Sequence, residues 1–344
     1  MRTTLFGAAL AISLAACGAT PGDRTAAGTP AVTTNANASA APTSEPSATA
    51  TVAVNAPPAP KRAKVRFEAN GEDFGAPLVD ALVGGQPTTL MLDTGATHHV
   101  VASWVAAEVG PTRDSAIQGL DHAGQSVALK ELPNGEITIS GWGPIGAGSP
   151  LVAALPIEFQ KSGVGGLLAV QALVGEGRAV TLDMRTGALT EGPEGEAMAA
   201  VEKLGGAAIT GSIRTCANGA SLPFVRVTIG GGEIDAQLDT GATNTTVRAA
   251  SPAGVKLKPL AKTASTAFAA SGMFTVPSVK GAHVQVGALD VETTIDLVKR
   301  DPRPDCPNDA FVGIDVLRRC ALVFGKKTLA GRCEPVGGEK TKSP

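Results

Sequence analysis

The sequence predicts an all-β protein built from two similar lobes, and three observations carry that prediction. Residues 77–101 and 223–247 align without a gap at an offset of 146, with 11 identities in 25 positions. Gly (42) and Pro (24) are abundant while aromatic residues make up 3%, a composition that suits short strands joined by many turns. Apolar runs are brief and bounded by turn residues, the length of strands rather than of helices. A single repeat of domain length points to a fused dimer with a pseudo-two-fold axis.

The chain opens with Arg2 and an apolar run from Leu5 to Ala16, too short to span a bilayer but right for the core of a signal peptide. The run ends in Leu14-Ala15-Ala16-Cys17-Gly18, which resembles the lipobox of bacterial lipoproteins. That resemblance implies removal of residues 1–16, acylation of Cys17, and anchoring in the bacterial cell envelope. Gly18 after the Cys resembles lipoproteins passed on to the outer membrane. An ordinary secretory signal with a stray Cys is the alternative. Residues 17–62 are Ala, Thr, Pro, Ser and Asn with few large apolar side chains. Such a segment cannot bury enough surface to fold, so it reads as a disordered tether with a reach of about 35–40 Å.

Residues 63–192 read as the N-terminal lobe. Pro77–Val83 and Thr88–Leu92 are strands flanking the turn Gly84-Gly85-Gln86-Pro87, and Ile137–Ile139, Leu151–Leu155 and Val180–Leu182 are further strands. Residues 193–218 read as interlobe linker, with helical character in Glu194–Leu204 and an irregular stretch from Gly205 to Asn218. The C-terminal lobe, 219–335, repeats the opening unit as Phe224–Ile229, a turn at 230–233, and Ile234–Leu238. It continues through His283–Val286, Thr293–Val298, Ala321–Phe324 and Leu329–Arg332. Residues 336–344 read as a disordered tail.

Lys and Arg (29) nearly balance Asp and Glu (31), which gives no nucleic-acid footprint. With Cys17 lipidated, four cysteines remain, all in the second half: Cys216, Cys306, Cys320 and Cys333. An even count in an exported chain suggests two disulfides. A hairpin about Gly325-Lys326-Lys327-Thr328 places Cys320 opposite Cys333 at a separation a bridge can span. Cys216–Cys306 follows by elimination.

The chemistry lies in the repeat. Asp-Thr-Gly-Ala-Thr occurs at 93–97 and 239–243, each time after an apolar strand. A carboxylate drawn toward the interior is costly without compensation. The following Gly95 and Gly241 permit a tight turn whose N–H groups point back at the carboxylate. If the two turns meet on the pseudo-two-fold axis, Asp93 and Asp239 cannot both ionise easily, so one proton is shared and one apparent pKa rises. The ionised member is then a base for a bound water, and the protonated member polarises a substrate carbonyl.

On these motifs the chain resembles the retropepsin-like and pepsin-like aspartic proteases, over roughly Val65–Cys333. That family carries a second motif, two hydrophobic residues and a Gly that brace each Asp turn. Phe311-Val312-Gly313 fits it, 74 residues after Asp239, and Leu167-Leu168-Ala169 stands in the matching place 76 residues after Asp93. Ala169 departs from the family's Gly. The resemblance further implies a bilobal acid-protease fold of two β-barrel lobes, with Thr94 and Thr240 linked across the axis and Thr97 and Thr243 supporting the carboxylates. It implies a flap hairpin at Gln118–Val127, including Gly119, Leu120, Asp121, His122 and Gly124. The second-lobe counterpart is Ala267–Phe274, with Ala269, Ser271 and Gly272. Tyr is absent from the chain, so this flap works through backbone and small residues. The implied partner is an extended peptide or protein substrate bound by strand-like main-chain hydrogen bonds. No metal, cofactor or nucleic acid is implied, and the chain is expected to be monomeric, touching the bilayer only through acylated Cys17.

Blander roles suit the other candidates. His98 and His99 are adjacent and point to opposite faces of a strand, which favours packing over metal binding. Trp142 reads as a turn aromatic and Asp183 as a turn residue, while Asp315 and Gln171, at equivalent positions, read as structural. The expected activity is aspartic endopeptidase. The alternative is a catalytically silent, lipid-anchored peptide-binding or scaffolding protein that keeps the same fold.

Overall fold

Both copies of the repeat fold into the same hairpin. The computed structural model describes residues 13–15, 60–121, 124–146, 148–217, 219–269, 272–301 and 306–335. Glu72–Val83 pairs antiparallel with Gln86–Asp93, and Ser221–Ile229 pairs with Gly232–Leu238. Each connection is a pair of glycines at positive φ, 54° and 83° at Gly84-Gly85 and 59° and 69° at Gly230-Gly231. Two successive left-handed residues are what the tightest hairpin turn demands.

The second strand of each hairpin runs beside its brace. Val164–Ala169 lies parallel to Gln86–Asp93, with Leu168 opposite Leu92 and Ala169 opposite Asp93. Ala310–Val312 lies parallel to Gly232–Leu238, with Val312 opposite Leu238. On its other side each brace pairs antiparallel with the strand that follows the Asp turn, Val100–Ala102 or Thr245–Arg248. These strands are central and buried on both faces, which is why they read as continuous apolar runs rather than alternating ones. Leu90, Met91, Leu92, Leu167, Leu168 and Val312 are all essentially inaccessible.

Among the described residues the chain is all-β and bilobal, with one ten-stranded and one thirteen-stranded sheet around these units. The boundary between halves differs from the expected one. Arg178–Asp183 and Ala188–Pro193 pair with each other, and Arg178–Asp183 then pairs with Cys320–Phe324 of the second half. Arg62–Lys64 adds to the other side of Ala188–Pro193. So Arg62, expected in the tether, begins a strand, and residues 178–193 join the second-lobe sheet instead of closing on the first. Val180, Leu182, Leu322 and Phe324 explain the pairing, since all four are fully buried in one shared core.

The expected irregular stretch after residue 204 is also corrected. Glu194–Glu202 is helical as read, but Ala207–Thr215 is a nine-residue strand between Thr328–Cys333 and Ser221–Ile229. Ile209 and Ile213 are buried while Gly211 between them is exposed, yet a side chain at Gly211 would lie 2.2 Å from Phe224 O. The Gly that suggested a linker is thus a close approach between strands.

The cysteines pair as Cys216–Cys306 and Cys320–Cys333, and the hairpin register sets Cys320 opposite Cys333 as the sequence predicts. Ser13–Ala15 forms a short strand antiparallel to Gln118–Leu120. No helix among the described residues is long and apolar enough to cross a membrane. Cys17, the rest of residues 1–16, the tether up to Ala59 and the tail from 336 lie outside the described residues.

Candidate active site

The two Asp turns meet face to face, locked by reciprocal threonines. Thr94 N donates to Thr240 Oγ1 at 3.1 Å and Thr240 N to Thr94 Oγ1 at 3.0 Å. Each hydroxyl then donates across the interface, Thr94 Oγ1 to Leu238 O at 2.8 Å and Thr240 Oγ1 to Leu92 O at 2.7 Å. All four groups are buried, so each hydroxyl satisfies a main-chain donor and acceptor of the opposite copy. Gly95 packs directly on the opposing carboxyl, and a methyl there would lie 2.7 Å from Asp239 Cγ.

Asp93 and Asp239 are fully buried. The inner oxygen of each is held by its own turn. Asp93 Oδ1 accepts from Gly95 N at 2.7 Å and Ala96 N at 3.1 Å, and Asp239 Oδ1 accepts from Gly241 N at 3.0 Å and Ala242 N at 3.2 Å. These amides come from each carboxyl's own turn. Thr97 Oγ1 lies 3.0 Å from His98 Nδ1, and Thr243 contributes its carbonyl to Asp315 N. Two consecutive N–H groups after each Asp thus converge on one oxygen. The outer oxygens, Asp93 Oδ2 and Asp239 Oδ2, are buried and have no hydrogen-bond partner among the described residues.

Burial pushes the Asp93 carboxyl well above the ordinary range, and the nearby charge of Asp239 pushes it further. Asp239 is pushed up to about 6 by burial, opposed by the adjacent Asp93 carboxyl, the N–H groups of Gly241 and Ala242, and the charge of Arg300. Both carboxyls are pushed up, so the pair holds one proton well above the ordinary carboxylate range.

The braces differ in chemistry but not in role. Asp239 N donates to Val312 O at 3.0 Å, and Ile314 N to Ala242 O at 2.7 Å. A methyl on Gly313 would lie 2.6 Å from the Asn244 carbonyl carbon and 2.8 Å from Ala242 O, so glycine is required. Gly313 N donates to Thr245 Oγ1 at 3.2 Å, which donates in turn to Asp315 Oδ1 at 3.0 Å, while Thr293 Oγ1 reaches Asp315 Oδ2 at 2.7 Å. Across the repeat, His99 stands where Thr245 stands, and its Nδ1 accepts from Ala169 N at 3.2 Å. His99 is thus a brace support, kept neutral by burial, which lowers its pKa to about 4. Gln171, the counterpart of Asp315, has no side-chain partner among the described residues.

The first-lobe hairpin is Gln118–Leu120 paired with Ser126–Val127, Gly119 opposite Val127. The second-lobe hairpin is larger, Thr263–Ala269 against Gly272–Val286, with Ala269 opposite Gly272. His122 and Ser271 lie outside the described residues. Asp121 accepts from Gln125 N at 2.9 Å, which shapes the first hairpin's tip. A cavity of about 620 Å³ opens between Gln125 and Met273, Phe274, Leu297 and Lys299, and neither Asp turn lines it.

Sequence reasoning missed several residues here. Asn244 Nδ2 binds Asp296 Oδ2 at 3.0 Å behind the second turn. Gln237, Asn308 and Arg300 form a polar chain beside it. A polar Gln237 at the position where the first lobe has Met91 was the available signal.

Residues 79–168, about a quarter of the chain and within the first lobe, match a family model described as aspartyl protease. That match supports an aspartic-protease-like fold. A comparison with curated proteins returns no match. Among solved structures, the chain is similar to an aspartic proteinase from Irpex lacteus, at 12% identity and a TM-score of 0.47, over 81% of this chain and 99% of that one. It is also similar to basic 7S globulin from soybean, at 11% identity and a TM-score of 0.47, over 79% and 94%.

Proposed function

We propose that this protein is an aspartic endopeptidase that hydrolyses peptide bonds with a water activated between Asp93 and Asp239. One observation carries the reading: two buried carboxyls from duplicated turns each leave an outer oxygen without a protein partner, the arrangement that receives one water. Asp239, as the ionised member, takes a proton from the water as its oxygen attacks the scissile carbonyl carbon. Asp93 gives its proton to the carbonyl oxygen, forming a tetrahedral diol. Collapse of the diol breaks the C–N bond, with a proton passed to the leaving nitrogen, and the pair ends with one proton as it began. The extended substrate is bound by strand addition. In support, the edge of Gln118–Leu120 accepts an extended segment, Ser13–Ala15, in antiparallel register.

The lipobox-like sequence at Cys17 supports anchoring of the mature chain to the cell envelope by acylation, which would also remove Ser13–Ala15 from that edge. Incorporation of a labelled fatty acid in wild type but not in Cys17→Ser is the expected result.

The activity is tested by digesting a peptide library with the chain lacking residues 1–17, from roughly pH 4 to pH 9. Cleavage that disappears in Asp93→Asn and Asp239→Asn supports the reading. Peptide binding without cleavage at any pH would favour the silent scaffold instead.

A further inference from the structure

The two lobes repeat each other closely at the Asp turns, yet one carries a polar chain the other lacks. Arg300 Nη2 donates to Asn308 Oδ1 at 2.7 Å, Asn308 Nδ2 to Gln237 Oε1 at 3.3 Å, and Gln237 Nε2 to Gly95 O at 3.4 Å. The chain starts in the second lobe and ends on the first lobe's Asp turn. At the offsets relating the two lobes, the corresponding residues are Pro156, Val164 and Met91, none of which has a side chain able to hydrogen-bond this way.

We propose that Arg300, Asn308 and Gln237 form a one-sided relay that positions the Asp93 turn and makes the two carboxyls chemically inequivalent. This rests on the protease reading only in what the inequivalence is used for.

The direction of the relay follows from donor chemistry. A guanidinium donates and cannot accept, so Asn308 must present its oxygen to Arg300 and its NH₂ to Gln237. Gln237 in turn must present its oxygen to Asn308 and its NH₂ to Gly95 O. The cation therefore fixes both amide orientations. Gly95 O belongs to the peptide unit whose N–H is Ala96 N, which donates to Asp93 Oδ1 at 3.1 Å. A hydrogen bond to the oxygen of a peptide polarises its N–H, so the relay strengthens a donor aimed at Asp93.

Arg300 is well placed to hold this role. Its guanidinium lies over the Phe311 ring, 4.5 Å from the centroid, and Phe311 is on the brace strand opposite Gln237. A methyl on Gly124, at the tip of the first hairpin, would lie 3.8 Å from Arg300 Cβ, so the tip closes directly onto the start of the relay. The charge of Arg300 also lowers the pKa of Asp239, which favours ionisation of that member. Other ionisable groups on the surrounding segments are His98 and His99 after the first turn, Asp296 and Lys299 in the second lobe, Asp315 on the brace, and Asp121 on the hairpin. Asp309 lies beside Asn308 and is held by Arg248 at 2.6 Å.

The test is the pH profile of kcat/KM on a cleaved peptide, for wild type, Arg300→Met, Arg300→Lys and Gln237→Met. Loss of the charge in Arg300→Met should raise the acid limb by about half a unit or more, and Arg300→Lys should restore it. Gln237→Met, which copies the first lobe, should move the alkaline limb upward by weakening the donor to Asp93. Lower rates at every pH with both limbs unmoved would overturn the proposal and leave the relay a packing feature. Carbon-13 titration of the Asp93 and Asp239 carboxyls in the full chain reads the same two steps without turnover. A protein that cleaves nothing while its carboxyl titrations shift with these substitutions would therefore sink the protease reading and keep the relay.

Discussion

Asp315 is half-buried, and two hydroxyls, from Thr245 and Thr293, support its carboxyl. Burial pushes its pKa up to about 6, so the folded state holds this proton more tightly than the unfolded chain does. The sign follows from linkage. The stabilising contribution is fully present below the unfolded pKa of about 4 and is lost as pH rises through about 6. An amide of the same shape has no such cost, because threonine hydroxyls can donate or accept. Asp315→Asn should therefore gain stability relative to wild type between pH 4 and pH 7.5, on the order of 2 kcal/mol, measured by urea unfolding at both pH values. His99 acts in the opposite sense. Its pKa is lowered to about 4, so its contribution is present above the unfolded value of about 6.5 and is lost as pH falls through about 4. The same reasoning sets the activity profile. Cleavage should rise with pH as the pair loses its first proton and fall again when it loses the second, giving a bell-shaped profile.

The braces show what local sequence decides and what it leaves open. Gly313 faces the backbone of Asn244 and Ala242 at distances no side chain tolerates, so Gly313→Ala should cost about 2–4 kcal/mol. Ala169 already carries its methyl beside Asp93, so Ala169→Gly should cost about 1 kcal/mol or less. Urea unfolding of the two variants checks the contrast. The hairpins, the Asp turns and the Cys320–Cys333 register were legible because each depends on neighbours within a dozen or so residues and on a repeat that marks them twice. The strand Ala207–Thr215 was not, because its Gly, Ser and Thr match linker composition and only contact with Phe224 makes a strand of them. Pairing of Arg178–Asp183 with Cys320–Phe324 was equally hidden, since period-2 burial shows that a strand exists but not which distant partner it takes. At the site, the two Asp residues could be read from the sequence. The turn amides that hold them could be read as well, whereas the brace support from His99 could not, because its partner Ala169 lies 70 residues away.

On the scale of the molecule, the lobes are joined in two ways. The threonine lock at the Asp turns is small and buried, while the sheet running from Arg62–Lys64 to the second-lobe hairpins is broad. The Cys216–Cys306 disulfide ties the start of the second-lobe repeat to the segment just before its brace, across 90 residues. Closing so long a loop restricts the unfolded chain strongly, so Cys216→Ala with Cys306→Ala should cost about 4 kcal/mol, read as a lower urea midpoint. The relay from Arg300 breaks, beside the Asp turns, the pseudo-symmetry that the reciprocal threonines keep. The central claim is that Asp93 and Asp239 act as one unit, and comparison of Asp93→Asn, Asp239→Asn and the double variant on one cleaved peptide tests it most directly. Each single substitution should lower kcat at least about a thousandfold, with the double variant no worse than either. Substantial cleavage by either single variant, or losses that multiply in the double, would contradict the account.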